Sequence, residues 1–236
     1  MKILHYLTFV IFFVSCSQQE IKLPLNDNPG KHEIWNNSPI YILTKIKGND
    51  TIPDLKMGKI ITTTHWLVAI DRRLKLKNLI EPIEKIIKKR HKKSIHYDPT
   101  KKLYFSYSDT LQKKVSFVNF DSIQFMPEIY TSKKYFKKYF NEDKHYNKFH
   151  LIIDKQKIVL NDSIILKANV SKTNLKEQIW KYVAGKTDEK QNLLYLNFDN
   201  TLDFNTFMNY YSFFMNNPIP KGKLSHRIFI FDDNIK

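Results

Sequence analysis

Glycine is scarce in this chain, with five residues in 236. So few leave little material for a phosphate-cradling loop, and neither G-x-x-x-x-G-K-[ST] nor G-x-G-x-x-G occurs. The nucleophile elbow G-x-S-x-G is missing as well. Cysteine is rarer still. Cys16 stands alone, so no internal disulfide forms and no thiolate set can hold zinc. There is no H-E-x-x-H, and the pairs His91/His96 and His145/His150 are five apart, off the same-face helical spacing of three or four. No metal, no cofactor and no catalytic residue is therefore expected. Arginine is the third shortage: four of 39 basic residues, in a chain with a formal net charge of +16. Such a charge ordinarily points to nucleic acid, but arginine does most of the base and phosphate recognition. The lysines read as solvated faces, with anionic headgroups, glycans or an acidic partner as the functional alternative. No nucleic acid partner is expected.

What is present begins with residues 2–16. Lys2 is followed by an apolar run over 3–14, interrupted by His5 and Thr8, and then by Ser15-Cys16. A basic start, a short apolar middle and a small residue before the end is the layout of a secretory signal. The run is shorter than the about 20 apolar residues that span a bilayer. Phe13-Val14-Ser15-Cys16 resembles the lipobox of bacterial lipoproteins, although Phe13 replaces the usual leucine. The resemblance implies that Cys16 is acylated and becomes the first residue of the mature protein. It further implies an exported, membrane-anchored palmitate-type lipoprotein of the cell envelope. Ser17 lacks acidic character, which by analogy favours the outer over the inner membrane. Residues 17–39 are polar and turn-rich and read as a flexible tether.

Beyond the tether the patterning alternates between strand and helix signals. Strands are expected at 40–46, 59–64, 65–70, 103–107, 115–120, 151–153, 157–160, 163–166, 193–198 and 227–231. Leu76, Leu79, Ile80, Ile83, Ile86 and Ile87 recur at helical intervals. Asn78 is a candidate cap, and Pro82 is tolerable near the first turn. Lys85, Lys88, Lys89 and Arg90 would then occupy the solvated face. A second helix runs from Leu175 to Val183, capped by Thr173 or Asn174 and stopped at Gly185. A third carries Phe204, Phe207, Met208, Tyr211 and Met215. Residues 129–148 read as a linking amphipathic helix with Tyr135, Phe136, Tyr139 and Phe140 in one stripe. That stripe faces the core or, as the sharper alternative, a bilayer surface.

The fold class is α+β, an α/β sandwich-like arrangement with a first module at 40–128 and a second at 149–236. Val68-Ala-Ile-Asp71 with Leu74, Leu76, Leu79 and Ile80 lines up with Leu196-Asn-Phe-Asp199 and Leu202, Phe204, Phe207 and Met208, at a constant offset. Two related strand-loop-helix-strand modules or two generic units both fit this pattern. Ile153-Asp-Lys, Ile158-Val-Leu-Asn161, the helix around Leu175, Leu196-Asn-Phe-Asp199, the helix after it and the closing strand resemble the periplasmic domain of the ExbD/TolR biopolymer-transport family. That resemblance implies a small α/β module contacting an envelope protein or peptidoglycan. The family's transmembrane helix with its proton-binding aspartate has no counterpart here, so proton-driven transduction is not implied.

Asp71 and Asp199 are the acids most worth following, because functional groups often sit at strand ends. Loop and cap hydrogen bonding is their plainer role. Arg72 and Arg73 either pair with Asp71 or present an anion fork. The expectation is a lipid-anchored envelope protein with a non-catalytic binding or scaffolding role. The alternative is a periplasmic or surface hydrolase with a dispersed acidic site around Asp71 and Asp199.

Overall fold

The computed structural model describes residues 20–48, 50–92, 97–126, 144–185 and 189–232. Cys16 and most of the expected linking helix lie outside them. The elements are β1 (Leu25–Asn26), β2 (Asn37–Lys47), β3 (Asp50–Lys56), β4 (His65–Ile70), α1 (Leu76–His91), β5 (Leu103–Asp109), β6 (Lys114–Asn119), β7 (Gln124–Met126), β8 (Tyr146–Ile153), β9 (Lys157–Leu160), β10 (Ile164–Lys167), α2 (Lys172–Ala184), β11 (Gln191–Asp199), α3 (Phe204–Asn216) and β12 (Gly222–Phe231). Two mixed six-stranded sheets result, and the class is α/β as the patterning implied. Residues 146–148, expected as the end of the linking helix, are strand.

The two halves repeat one plan. In the first sheet a parallel β2–β4–β5 core carries the antiparallel β3 beside β2. In the second a parallel β8–β11–β12 core carries the antiparallel β9 beside β8. Each has its helix, α1 or α3, in the crossover from the central strand to the next. The buried residues Leu74, Leu76, Leu79, Ile83 and Ile86 correspond to Leu202, Phe204, Phe207, Tyr211 and Phe214 at the offset seen in the sequence. The second half adds β10 and α2, and the first adds β6.

Where the halves meet, each helix is capped by the other's loop. The amides of Leu76 and Lys77 donate to the carbonyls of Leu202 (2.9 Å) and Asn200 (3.0 Å). Reciprocally, Phe204 and Asn205 donate to Leu74 (2.8 Å) and Arg72 (3.3 Å). A bridge joins Lys75 to Asp203. Equivalent groups exchange equivalent bonds, as across an isologous interface. This explains a departure from expectation. Helix α1 starts at Leu76 with no side-chain cap, because backbone carbonyls from the other half satisfy its leading amides. Asn78 is not the cap, and Pro82 lies inside the helix. Ser171, rather than Thr173 or Asn174, caps α2.

A single core spans both halves. Phe105 of β5 stacks on Phe120 at 3.6 Å and meets Phe204, Phe207 and Tyr211 of α3 edge-on. Phe207 also meets Phe198 of β11 at 5.1 Å. Strand β7, from the stretch assigned to the first module, pairs with β12 of the second sheet. The boundaries at 40–128 and 149–236 therefore do not separate two cores.

Three further expectations are corrected. Residues 59–64 are a loop, although β-branched. The Ile61 carbonyl takes the Thr64 amide and hydroxyl and the Trp66 indole, which bends the chain back locally. The strand lies at β3 instead, where Pro53 is tolerated on an edge. Arg90 is buried at 2% exposure, away from the solvated face assigned to it. It donates to the carbonyls of Thr62, Asp98 and Lys101 and lies over the rings of Trp66 and Tyr97.

Lastly, the stretch read as a tether is built into the fold from Lys22 onward. Even-numbered residues of β5 face β4 until that strand turns away at Asp71. The same edge then bonds β1, Ser108 donating to Pro24 and Thr110 to Asn26, both at 2.8 Å. Asn26 and Asn28 are buried against α3, where they share Ser212. The Tyr107 hydroxyl donates to the Asn28 carbonyl at 2.9 Å, and its burial pushes its pKa up to about 12. A chain that fills an edge and satisfies buried amides is ordered by those bonds, which its polar, turn-rich composition conceals.

Candidate functional site

Asp71 stands where β4 ends, fully buried. Its Oδ1 accepts from the Arg73 amide (3.0 Å) and Nε (2.8 Å). Its Oδ2 accepts from Arg73 Nη2 (2.6 Å) and the Lys22 amide (3.3 Å). Burial acts to raise the carboxyl pKa. The bonds from the Arg73 side chain and from the Arg73 and Lys22 amides outweigh it and hold the group below its ordinary value. Arg73 is half-exposed and also reaches Thr44 Oγ1 at 3.1 Å. The fork of Arg73 is thus turned onto Asp71. The Arg72 backbone bonds Lys22 and Asn205.

Asp199 occupies the equivalent strand end in the second half. Its Oδ1 accepts from the Thr201 amide (2.6 Å) and hydroxyl (2.5 Å). Each aspartate therefore closes its own loop, and the loops meet through backbone bonds rather than through the carboxylates.

Neither aspartate lines either of the two cavities beside the strand-to-helix loops. The larger, about 690 Å³, lies between the β8–β9 turn and α3, beside Asp154, Gln156, Lys167, Thr206 and Tyr210. Asp154 accepts from the amides of Gln156 and Lys157, and Tyr210 donates to the Ala168 carbonyl. The other, about 410 Å³, sits between β3 and α1. Its lining residues Asn78 and Pro82 correspond to Thr206 and Tyr210, so the repeat extends to these hollows.

Two of the described histidines, His65 and His150, are engaged within the fold. His65 Nδ1 accepts the Lys102 amide at 3.0 Å, and the ring meets Tyr104 edge-on. Burial, with Lys101 and Arg90 nearby, lowers its pKa below 6.5. His150 lies 3.8 Å from Asp162. Desolvation overrides that carboxylate, and the pKa is again lowered. Among the described residues no group of three or more His, Cys, Asp or Glu is placed to hold a metal ion. No described helix is long and apolar enough to cross a membrane.

The polar cluster that sequence reasoning missed is Asn26, Asn28 and Ser212. The Leu25-Asn-Asp-Asn-Pro-Gly30 run signals turns, but nothing in it announces that two of its amides are buried against a helix about 180 residues away. No protein-family model, curated protein or solved structure matches this chain.

Proposed function

We propose that this is a lipid-anchored protein of the cell envelope, held through Cys16, with a non-catalytic binding or scaffolding role toward an envelope protein or peptidoglycan. The outer membrane is the favoured location. The observation that carries the reading is the use made of Asp71. The acid with the strongest claim to chemistry is taken up in fixing Lys22, the point where chain coming from the cysteine joins the fold. Asp199 is likewise occupied by Thr201. The lipobox-like Phe13-Val14-Ser15-Cys16 supplies the anchor, and several acyl chains make such attachment stable.

Metabolic labelling with a clickable palmitate tests the anchor. The wild type is expected to label and to fractionate with membranes, and Cys16→Ser to lose both. Equal labelling of the two, or a cytosolic product retaining its initiator methionine, would overturn the reading. Crosslinking and pull-down of the lipidated protein then identify the partner.

A further inference from the structure

We infer that the rim of the first sheet formed by its β2–β3 and β5–β6 hairpins lies against an anionic phospholipid bilayer. This rests on the anchor at Cys16 proposed above.

Three observations converge on that rim. The first is reach. Lys22 is fixed beside Asp71 at the end of β4. Cys16 precedes it by six residues, a span of at most about 21 Å. Acyl chains on Cys16 therefore hold this end of the sheet close to the membrane surface. The second is the arrangement of the strand ends. Because β2, β4 and β5 are parallel, their C-terminal ends share one rim. Two hairpins project from it, β2–β3 and β5–β6. Arg73 links the Asp71 loop to Thr44, two residues before Ile46. The Thr110 amide bonds Asn26, which sets the second hairpin beside β1. The third is chemistry. Each hairpin tip carries one strongly exposed aliphatic residue, Ile46 at 79% and Leu111 at 73%. Lys45 and Lys47 flank the first, and Lys113 and Lys114 follow the second. Exposed acids near the rim are fewer: Glu20, Asp50 and Asp27, the last paired with Lys172. Single aliphatic residues among lysines suit the headgroup boundary, where the aliphatic tip enters and the ammonium groups meet lipid phosphate.

The opposite end of the same sheet carries an internal control. Trp35 is 80% exposed there, just before β2 begins. The 11 residues of β2 separate it from the rim, about 35 Å of strand. Hydrophobic exposure alone would bring Trp35 to the bilayer as readily as Ile46. The anchored rim keeps it in water.

The test uses the mature protein acylated in cells and reconstituted into phosphatidylglycerol-rich vesicles. Cys16 is the sole cysteine, and acylation caps it, so one engineered thiol takes an environment-sensitive fluorophore. Labels at Ile46→Cys and Leu111→Cys should shift to the blue on reconstitution, and a label at Trp35→Cys should not. Changing Lys45, Lys47, Lys113 and Lys114 to glutamate should abolish the shift while the protein still sediments with vesicles. Aqueous spectra at positions 46 and 111 in sedimenting protein would overturn the rim assignment and leave the anchor standing. Absence of palmitate from the cellular protein would remove both.

Discussion

Asp71 shows how one side chain can settle what its neighbours do. Four donors converge on a carboxylate with no exposed surface. Asp71→Asn keeps the shape but turns an amide toward some of those donors. Bonds to charged groups contribute more than neutral ones, so the change should destabilise the fold by about 2 kcal/mol at neutral pH. The folded-state pKa lies below the ordinary value of 3.8. The ionised form therefore adds stability above that value, and the gain is lost as pH falls through the depressed folded pKa. Urea midpoints measured from pH 7 downward should show wild type and variant converging in acid. A constant gap across that range would rule out this account of Asp71.

At the level of elements, the two strand-to-helix joints borrow from each other. Helix α1 has no capping side chain, and its first amides are satisfied only when the Asn200–Leu202 loop is in place. Strand pairing is similarly exacting at the start of β12. A Cβ on Gly222 would stand 2.0 Å from the Asn192 carbonyl oxygen and 2.6 Å from its carbon. Backbone cannot yield as a flexible side chain can, so Gly222→Ala should cost about 3 kcal/mol. A thermal melt should show a clearly lowered Tm, and an unchanged one would mean that β11 and β12 separate at little cost. Much of this scale was legible beforehand. The helical spacing of Leu76 to Ile87 and of Phe204 to Met215 identified α1 and α3, and the offset between them foreshadowed the repeat. What was hidden depends on partners distant in sequence. Residues 59–64 looked like a strand but bond their own turn at Ile61 and distant side chains of Ser38 and Arg90, while β3 with Pro53 looked unlike one. Asp71 and Asp199 were legible as strand-end acids with hydrogen bonding inside their own loops as the plainer role, since Arg73 and Thr201 lie only two residues on. The bond from the Lys22 amide to Asp71 was not, because it comes from 49 residues away.

Over the whole molecule, duplication of plan has not produced independence. Phe105 depends on Phe204, Phe207 and Tyr211, and the Tyr211 hydroxyl donates to the Asn119 carbonyl at 2.7 Å. A fragment covering 20–126 would lose those rings and the carbonyls that cap α1. It should show no cooperative melt by circular dichroism, whereas the full chain should unfold in one transition. A fragment melting sharply on its own would refute the shared core. The parallel course of β1 along β5 has a mechanical consequence. Tension drawn through the N-terminal chain meets the fold first at Lys22 and β1. The bonds to Asp71, Ser108 and Thr110 must yield before that tension reaches the shared core. A pull on the chain ahead of β1 is thus braced where that chain joins the fold.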